Sequence, residues 1–346
     1  MPNLPQQNKA KHHEPKKQRG IALITILLIL SIMVTISATM TGRMTSSLLR
    51  TEGLNYSEKI YWYGQAAVDY SRLVLNDNFA DSDVVSLDQT WATANLAFPV
   101  DEGTITGNII DSRSCFNVNA IALADENDER ALPVTQFEAL LTALDIEEYS
   151  AEIISESVRD WIDTNTTVDQ SQGAEDRYYE SLGVPHLAAN ALMVDISELR
   201  SVQGVTDEIY EKIRPYLCAL PASDQAININ TVAVDKAAVL YALFPSELSI
   251  SLDDITALLE DRPTSGWSSV DDFLDEDVFG DKIIPEDVKE QLSVTSDYFQ
   301  LYALAEFDER VTLVTMLFKI ESKETSPVRF QYAGIDEMAG TETLGE

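Results

Sequence analysis

The sequence predicts an α+β protein in which one long N-terminal helix packs on a small antiparallel sheet and a large all-α domain is inserted between the strands. Three observations lead there. An uncharged apolar run from Ile21 to Gly42 passes, without a proline, into a stretch of helical periodicity. Strand-like patterns occur only near residues 90–121 and again near residues 298–318. From about Leu123 to Leu292 the apolar residues have the spacing of helices.

The run from Ile21 to Gly42 is long enough to cross a bilayer, which takes about 20 apolar residues. Lys9, Lys11, Lys16, Lys17 and Arg19 precede it against one acid, Glu14. A basic flank of this kind stays cytoplasmic, so the chain after it faces outward. A removable signal has a shorter apolar core and a small-x-small cleavage site. Ser37-Ala38-Thr39 is a weak form of that site, which leaves a cut after Thr39 open beside retention. The helical pattern continues, with Ile60, Tyr63, Ala67, Tyr70 and Val74 at steps of three and four predicting one apolar face. Gly42, Gly53 and Gly64 each weaken a helix by about 1 kcal/mol without ending it. A single helix from Ile21 to Asn76 would be roughly 84 Å long at 1.5 Å per residue, half in lipid and half on a folded body.

Basic leader, Gly20, uncharged helix and amphipathic extension together resemble the type IV pilin family. The resemblance implies a pilin-like fold, cleavage by a prepilin peptidase between Gly20 and Ile21, and N-methylation of Ile21. The helix would then serve as an inner-membrane anchor and later as the core of a fibre. In these terms the chain divides into a leader peptide at 1–20, a transmembrane half-helix at 21–43 and a pilin-like α/β domain at 44–122 and 295–325. Most members carry Glu as the fifth mature residue, where it pairs with the amine of a neighbouring subunit; this chain has Thr25. An amine buried in hydrocarbon without that carboxylate is costly, so the departure points to a place at the end of a filament.

The strands come next. In "TWATANLAFPVDEGTITGNIIDSRSCFNVNAI", Ile105 and the pair Ile109–Ile110 flank Thr106, Gly107 and Asn108, which reads as short strands separated by turns. Near the other end, Phe299, Leu301 and Ala303 alternate in one strand and Val311, Leu313, Thr315 and Leu317 in another, with Glu306–Arg310 as the hairpin turn. Beyond Ser322 the chain is polar and dotted with glycine, so residues 326–346 read as a frayed tail.

The inserted α-helical domain, 123–294, is expected to hold helices at 134–147, 149–162, 195–202, 206–217, 232–243, 252–261, 269–274 and 285–292. Two echoes, "FNVNA" at 116–120 and "ININT" at 227–231, mark its joints. Their amides can bond nearby backbone, and Thr231 is a fair N-cap. "DISELRSVQGVTDEIYEKIRPYL", Asp195 to Leu217, looks like a helix-hairpin-helix, a unit that can offer backbone N–H groups to a phosphate. Its hairpin is Gly204-Val205-Thr206, which lacks the second glycine. Asp207 and Glu208 follow, where they repel phosphate.

The stretches "GIALITILLIL", "SCFNVNAI", "DWIDTN", "GAEDRYYESLGVPHLAAN", "DISELRSVQGV" and "ININT" together resemble the minor pseudopilin K family of type II secretion. The resemblance implies a pilin-like unit interrupted by a large α-helical domain, and a complex with the minor pseudopilins I and J at the tip of a periplasmic pseudopilus. Prepilin peptidase and the inner membrane are further implied partners. Whether the tip also meets exported proteins stays open.

"DWIDTNTTVDQSQGAEDRYYE", Asp160 to Glu180, is the sharpest candidate site. Asp163 and Asn165 alternate like the first ligands of a calcium loop, and Glu175 and Asp176 return two carboxylates after Gly173. Calcium takes six to eight oxygens, amides and carbonyls included. The loop lacks the spacing of an EF-hand. The K-family resemblance adds that such proteins bind calcium in their helical domain. The competing reading is a solvated acidic loop capping the next helix, with Tyr178 and Tyr179 buried. Asp125–Arg130, "DENDER", reads as an exposed loop.

Composition narrows the function. Lys and Arg number 24 against 58 acidic residues, a formal charge of −34. Removing residues 1–20 takes five basic residues and one acid and leaves −38. So acidic a surface repels nucleic acid, which weighs against the alternative of a signal-anchored periplasmic helix-hairpin-helix protein binding DNA during uptake. His186 is the one histidine outside the leader, so a membrane-anchored hydrolase built on a histidine base has little to rest on, and His186 itself reads as a structural hydrogen-bonder. The two cysteines, Cys115 and Cys218, pair or stay free, since spacing alone does not decide. The expectation is a non-catalytic secretion subunit.

Overall fold

The computed structural model describes residues 20–81, 84–101, 103–123, 131–168, 171–307 and 310–333. The leader, apart from Gly20, and the acidic run Asp125–Arg130 lie outside them. Two compact units are distinguished, Met1–Tyr61 and Trp62–Glu346.

The first unit is helical from Ile21 on, as the N-terminal part of helix α1 (Ile21–Asp81). By length and composition α1 can cross a membrane, with a mean hydropathy of 2.7 in its most apolar window. The hydroxyls of Thr25, Thr35 and Thr39 donate to carbonyls three or four residues earlier. That is how a hydroxyl is satisfied in hydrocarbon, where water is not on offer.

In the second unit the rest of α1 packs on a five-stranded antiparallel sheet of order β1-β2-β7-β8-β9. The strands are β1 (Leu96–Val100), β2 (Gly103–Asp111), β7 (Tyr298–Phe307), β8 (Arg310–Glu321) and β9 (Glu324–Ala333). Of the expected face of α1, Ile60 is buried and Tyr63, Ala67 and Val74 pack partly buried against the core, while the most deeply buried line runs one residue further round. Gly64, Val68, Ser71, Leu75 and Phe79 are buried, while Tyr70 is exposed and stands edge-on to Phe98 at 4.8 Å. At Gly64 a Cβ would lie 3.2 Å from a Val314 methyl, a tight contact, so the bare backbone eases the approach of helix and sheet there. Val68, Leu75 and Phe79 share a core with Trp91, Ile105, Phe299, Leu301, Val314 and Phe318, and each stabilises by roughly 1.5–3 kcal/mol when buried.

Two strand expectations need correction. Thr106–Asn108 form no turn but continue β2, because β7 pairs with them throughout, Gly107 opposite Ala303. Residues 326–333, expected to fray, belong to β9. Ser322 and Lys323 both have positive φ, 52° and 66°, and turn the chain tightly so that Glu321 faces Glu324. Neither is the Asn or Gly that usually signals such a turn, which hid the hairpin. The other hairpin closes with Phe307 opposite Arg310.

Between β2 and β7 the chain builds a second core of its own, from Phe116 to Leu292. Two short parallel bridges tie it. β3 (Phe116–Asn117) pairs with β4 (Leu217–Cys218), and β5 (Ile227–Asn228) with β6 (Leu292–Ser293). Each N-x-N echo thus opens one bridge. The helices are α2 (Leu132–Ala143), α3 (Glu148–Ile162), α4 (Asp176–Tyr179), α5 (Asp207–Ile213), α6 (Ala237–Tyr241), α7 (Leu252–Glu260), α8 (Val270–Leu274) and α9 (Glu286–Lys289), with a 3-10 turn at Ile196–Ser201. Thr231, expected as an N-cap, instead donates its hydroxyl to Asp111. The echoed amides reach across the fold as well as locally: Asn117 Nδ2 donates to Ala222 O and Asn230 Nδ2 to Trp267 O.

Candidate metal centre

Helix α3 buries Ala151, Ile154 and Val158 along one face and ends on Asp160, Trp161 and Ile162. Asp163 is its C-cap, so Asp160 and Asp163 lie one turn apart on the same side. Both stand at the negative end of the helix dipole, where a carboxylate is disfavoured and a cation favoured. Glu175 arrives from the other strand of the loop as the N-cap of α4, its Oε2 accepting from Asp176 N.

One oxygen each from Asp160, Asp163 and Glu175 lie within 4.8 Å of one another. Asp160 is fully buried and Glu175 nearly so. Gly173 closes the group: a Cβ there would fall on Asp160 Oδ2, so only the bare backbone fits against this carboxylate. Three hard oxygen donors, with no thiolate or imidazole, suit calcium or magnesium rather than zinc or copper. Carboxylates this close repel when ionised, and a divalent cation removes that repulsion. The donor set and the backbone cradle fit such an ion.

Of the four ligands expected from the sequence, the structure gathers Asp163 and Glu175. Asn165 Oδ1 accepts from Thr167 N at 2.7 Å, and Asp176 Oδ1 from Ala188 N at 3.1 Å. Asp160 was missed. The i, i+3 spacing in "DWID" was the available signal, obscured because Asp160 reads as an ordinary helical residue.

An aromatic wall backs the site. Trp161 stands edge-on to Tyr179 at 5.2 Å, and His186 packs on Tyr179 at 5.0 Å. Burial pushes the Tyr179 phenol well above its ordinary value, and nearby Asp160 adds to the shift. Tyr178, by contrast, is exposed. The His186 ring nitrogens lie 3.1 Å from Val184 O and 3.4 Å from Ser201 O, which is a structural placement.

The hairpin at Gly204 is a packing unit. Gly204 has φ 85°, and a Cβ would meet Ile153 and Ile154 of α3 at about 3 Å. Asp207 and Glu208 lie exposed in the first turn of α5. The sulfurs of Cys115 and Cys218 are bonded to each other, with Cα atoms 5.8 Å apart, beside the β3–β4 bridge.

Comparison with known proteins agrees with this architecture. Two family models described as type II secretion system protein K match residues 114–222 and 227–295. A protein of Aeromonas hydrophila with that name is 38% identical over 313 residues, covering 88% of this chain and 94% of its own length. Its counterpart from Pectobacterium carotovorum subsp. carotovorum is 41% identical over 260 residues, 74% of this chain and 78% of that one. Among solved structures, one chain in the crystal structure of the GspK-GspI-GspJ complex of enterotoxigenic Escherichia coli superposes with a TM-score of 0.76. It is 35% identical and covers 82% of this chain and 99% of its own.

Proposed function

The chain belongs to the type II secretion system protein K family, and on that premise we propose that it is a non-catalytic minor pseudopilin that caps the periplasmic pseudopilus and helps to initiate it, in support of protein export across the outer membrane. Thr25 is the observation that carries this reading. Its hydroxyl is bonded within its own helix, to Ala22 O at 2.9 Å, so it offers no charge to the amine of a neighbouring helix. A subunit without that carboxylate is handicapped inside a fibre, where another amine must be neutralised in hydrocarbon. It is not handicapped at the end, where one neighbour is missing.

The anchor acts first. With a basic flank before Gly20, the protein sits in the inner membrane as a single span, N-terminus cytoplasmic and body periplasmic. Prepilin peptidase cuts between Gly20 and Ile21, Ile21 is N-methylated, and α1 leaves the lipid to pack among its sisters. The bulk of residues 123–294 then hinders addition of a further subunit. The complex reported for the Escherichia coli relative supports pseudopilins I and J as partners here.

Calcium is proposed as the resident ion of the helical domain, held by Asp160, Asp163 and Glu175. When bound it supplies charge neutralisation and cross-links the two arms of the loop. The residues themselves cap α4 and hold the loop after it, Glu175 Oε2 accepting from Asp176 N and Asp176 Oδ1 from Ala188 N.

The test is co-purification of the full chain, in detergent, with the I and J subunits of the same system. Recovery of both, with a mature N-terminus at methylated Ile21, is expected. Recovery of neither, or an N-terminus beginning after Thr39, overturns the reading.

A further inference from the structure

In the loop that bonds to the end of α3, one side-chain oxygen lacks a partner. Asn190 Oδ1 is buried with no hydrogen bond among the described residues. A buried carbonyl left in that state costs about 1–3 kcal/mol, so its position calls for a reason. The backbone supplies a direction: Asn190 N–H donates to Trp161 O at 3.0 Å. Trp161 follows Asp160 directly and precedes Asp163 by two residues, so this bond ties Asn190 to the segment that carries two of the carboxylates. Asn190 also has φ 47°, a left-handed conformation that asparagine tolerates better than most side-chain-bearing residues.

We infer that Asn190 supplies a neutral oxygen to the cation site of Asp160, Asp163 and Glu175, and that cation occupancy thereby fastens the Gly183–Val194 loop against α3. The inference rests on the cation reading above and extends it. Chemistry favours the assignment, because calcium takes six to eight oxygens and accepts amide carbonyls beside carboxylates. Three carboxylates alone leave such a shell short unless each binds through both oxygens. The loop is already tied near the site at two other points, Ala188 N to Asp176 Oδ1 and His186 N to Tyr179 O. It carries no charged residue, and it presents Val184, Leu187 and Val194 to solvent, Val184 at 81% exposure. The cation would therefore control whether an apolar surface is held in one conformation or left loose.

The experiment uses the full chain in detergent micelles, with Tb³⁺ luminescence excited through Trp161, competition by Ca²⁺, and hydrogen exchange at the amides of 183–194. Asn190→Gly removes the oxygen while keeping the left-handed backbone, and Asn190→Asp restores an oxygen. Expected are a 10- to 100-fold weaker affinity in Asn190→Gly, the range seen when groups supporting a metal are removed, and near wild-type affinity in Asn190→Asp. Ca²⁺ should slow exchange of the loop in the wild type and not in Asn190→Gly. Superimposable titrations of wild type and Asn190→Gly, or loop exchange indifferent to Ca²⁺ in the wild type, overturn the inference alone. A wild-type chain that binds neither ion overturns the cation site itself and the inference with it.

Discussion

Asn228 Nδ2 donates to Asp111 Oδ2 at 3.0 Å, joining the last residue of β2 to the strand that opens the second half of the helical block. The same amide reaches Ser296 Oγ and Val85 O, at 2.8 and 3.2 Å. Thr231 and Ser296 hydroxyls also donate to Asp111 Oδ2, and Arg113 N–H donates to Oδ1. One fully buried carboxylate thus ties the sheet to the helical block, and the Asn228 amide it holds reaches on to the segment after α1.

Removing it leaves several buried donors unsatisfied. Asp111→Ala should destabilise the protein by about 3 kcal/mol, the upper range for stranding buried hydrogen-bonding groups. Urea unfolding of the full chain in detergent reads this directly. A loss below about 1 kcal/mol would mean that water replaces the carboxylate and that the joint is not held there.

The same residue gives stability a dependence on pH. Burial is the largest influence and raises the Asp111 carboxyl above its ordinary range, against the opposing hydrogen bonds of Ser296, Thr231, Arg113 and Asn228. An acid raised in the folded state binds its proton more tightly there than when unfolded. Its contribution is therefore full below the unfolded value, near 4, and is lost as pH rises through the folded value. The stability of wild type relative to Asp111→Asn should accordingly increase as pH falls from neutrality toward about 4. Parallel pH profiles for the two proteins would contradict the assignment.

The Cys115–Cys218 bond joins residues 103 apart in sequence. In the chain-entropy account, closing a loop of that size stabilises by about 4–5 kcal/mol. The double variant Cys115→Ser, Cys218→Ser should lose about 4 kcal/mol, or fail to fold at physiological temperature. Coincident urea midpoints with and without reductant would show that the β3–β4 bridge alone is sufficient.

The sequence displayed what depends on local chemistry. The 306–310 hairpin and the helices near 149–162 and 252–261 were legible from their period, and at 252–261 also from a cap: Ser251 and Asp254 form a capping box at the start of α7. What depends on distant partners was not. The close approach of α1 to the sheet sets Gly64 against Val314, 250 positions away; β9 turns on two non-glycine residues adopting positive φ. At the site, Asp163 and Glu175 are legible as loop carboxylates, whereas Asp160 reads as an ordinary helical acid, because its place in the group depends on Gly173 packing against it.

Metal dependence should separate Asp160 from Asp176. If the site holds calcium as proposed, Ca²⁺ at about 100 times its dissociation constant should add about 2.7 kcal/mol to the folded state, and chelation should withdraw it. Asp160→Asn is expected to abolish that increment. Asp176→Ala should leave most of it, since its carboxylate bonds Ala188 N and lies outside the group of three. The reverse order in thermal unfolding with and without Ca²⁺ would exchange their roles.

Thr25 offers the sharpest test of placement. A carboxylate costs about 2.5–3.5 kcal/mol at the centre of an isolated membrane helix and less near its end, where Thr25 lies, and within a fibre the amine of a neighbour can offset that cost. Thr25→Glu should therefore allow the subunit to enter along the length of the fibre, where the proposal expects the wild type at one end only. Gold labelling of the tagged chain on pseudopili that it forms with its partners distinguishes the cases. Wild-type label scattered along the fibre would remove the tip assignment. Label at one end for both proteins would show that the bulk of residues 123–294, and not the missing carboxylate, excludes the chain from the shaft.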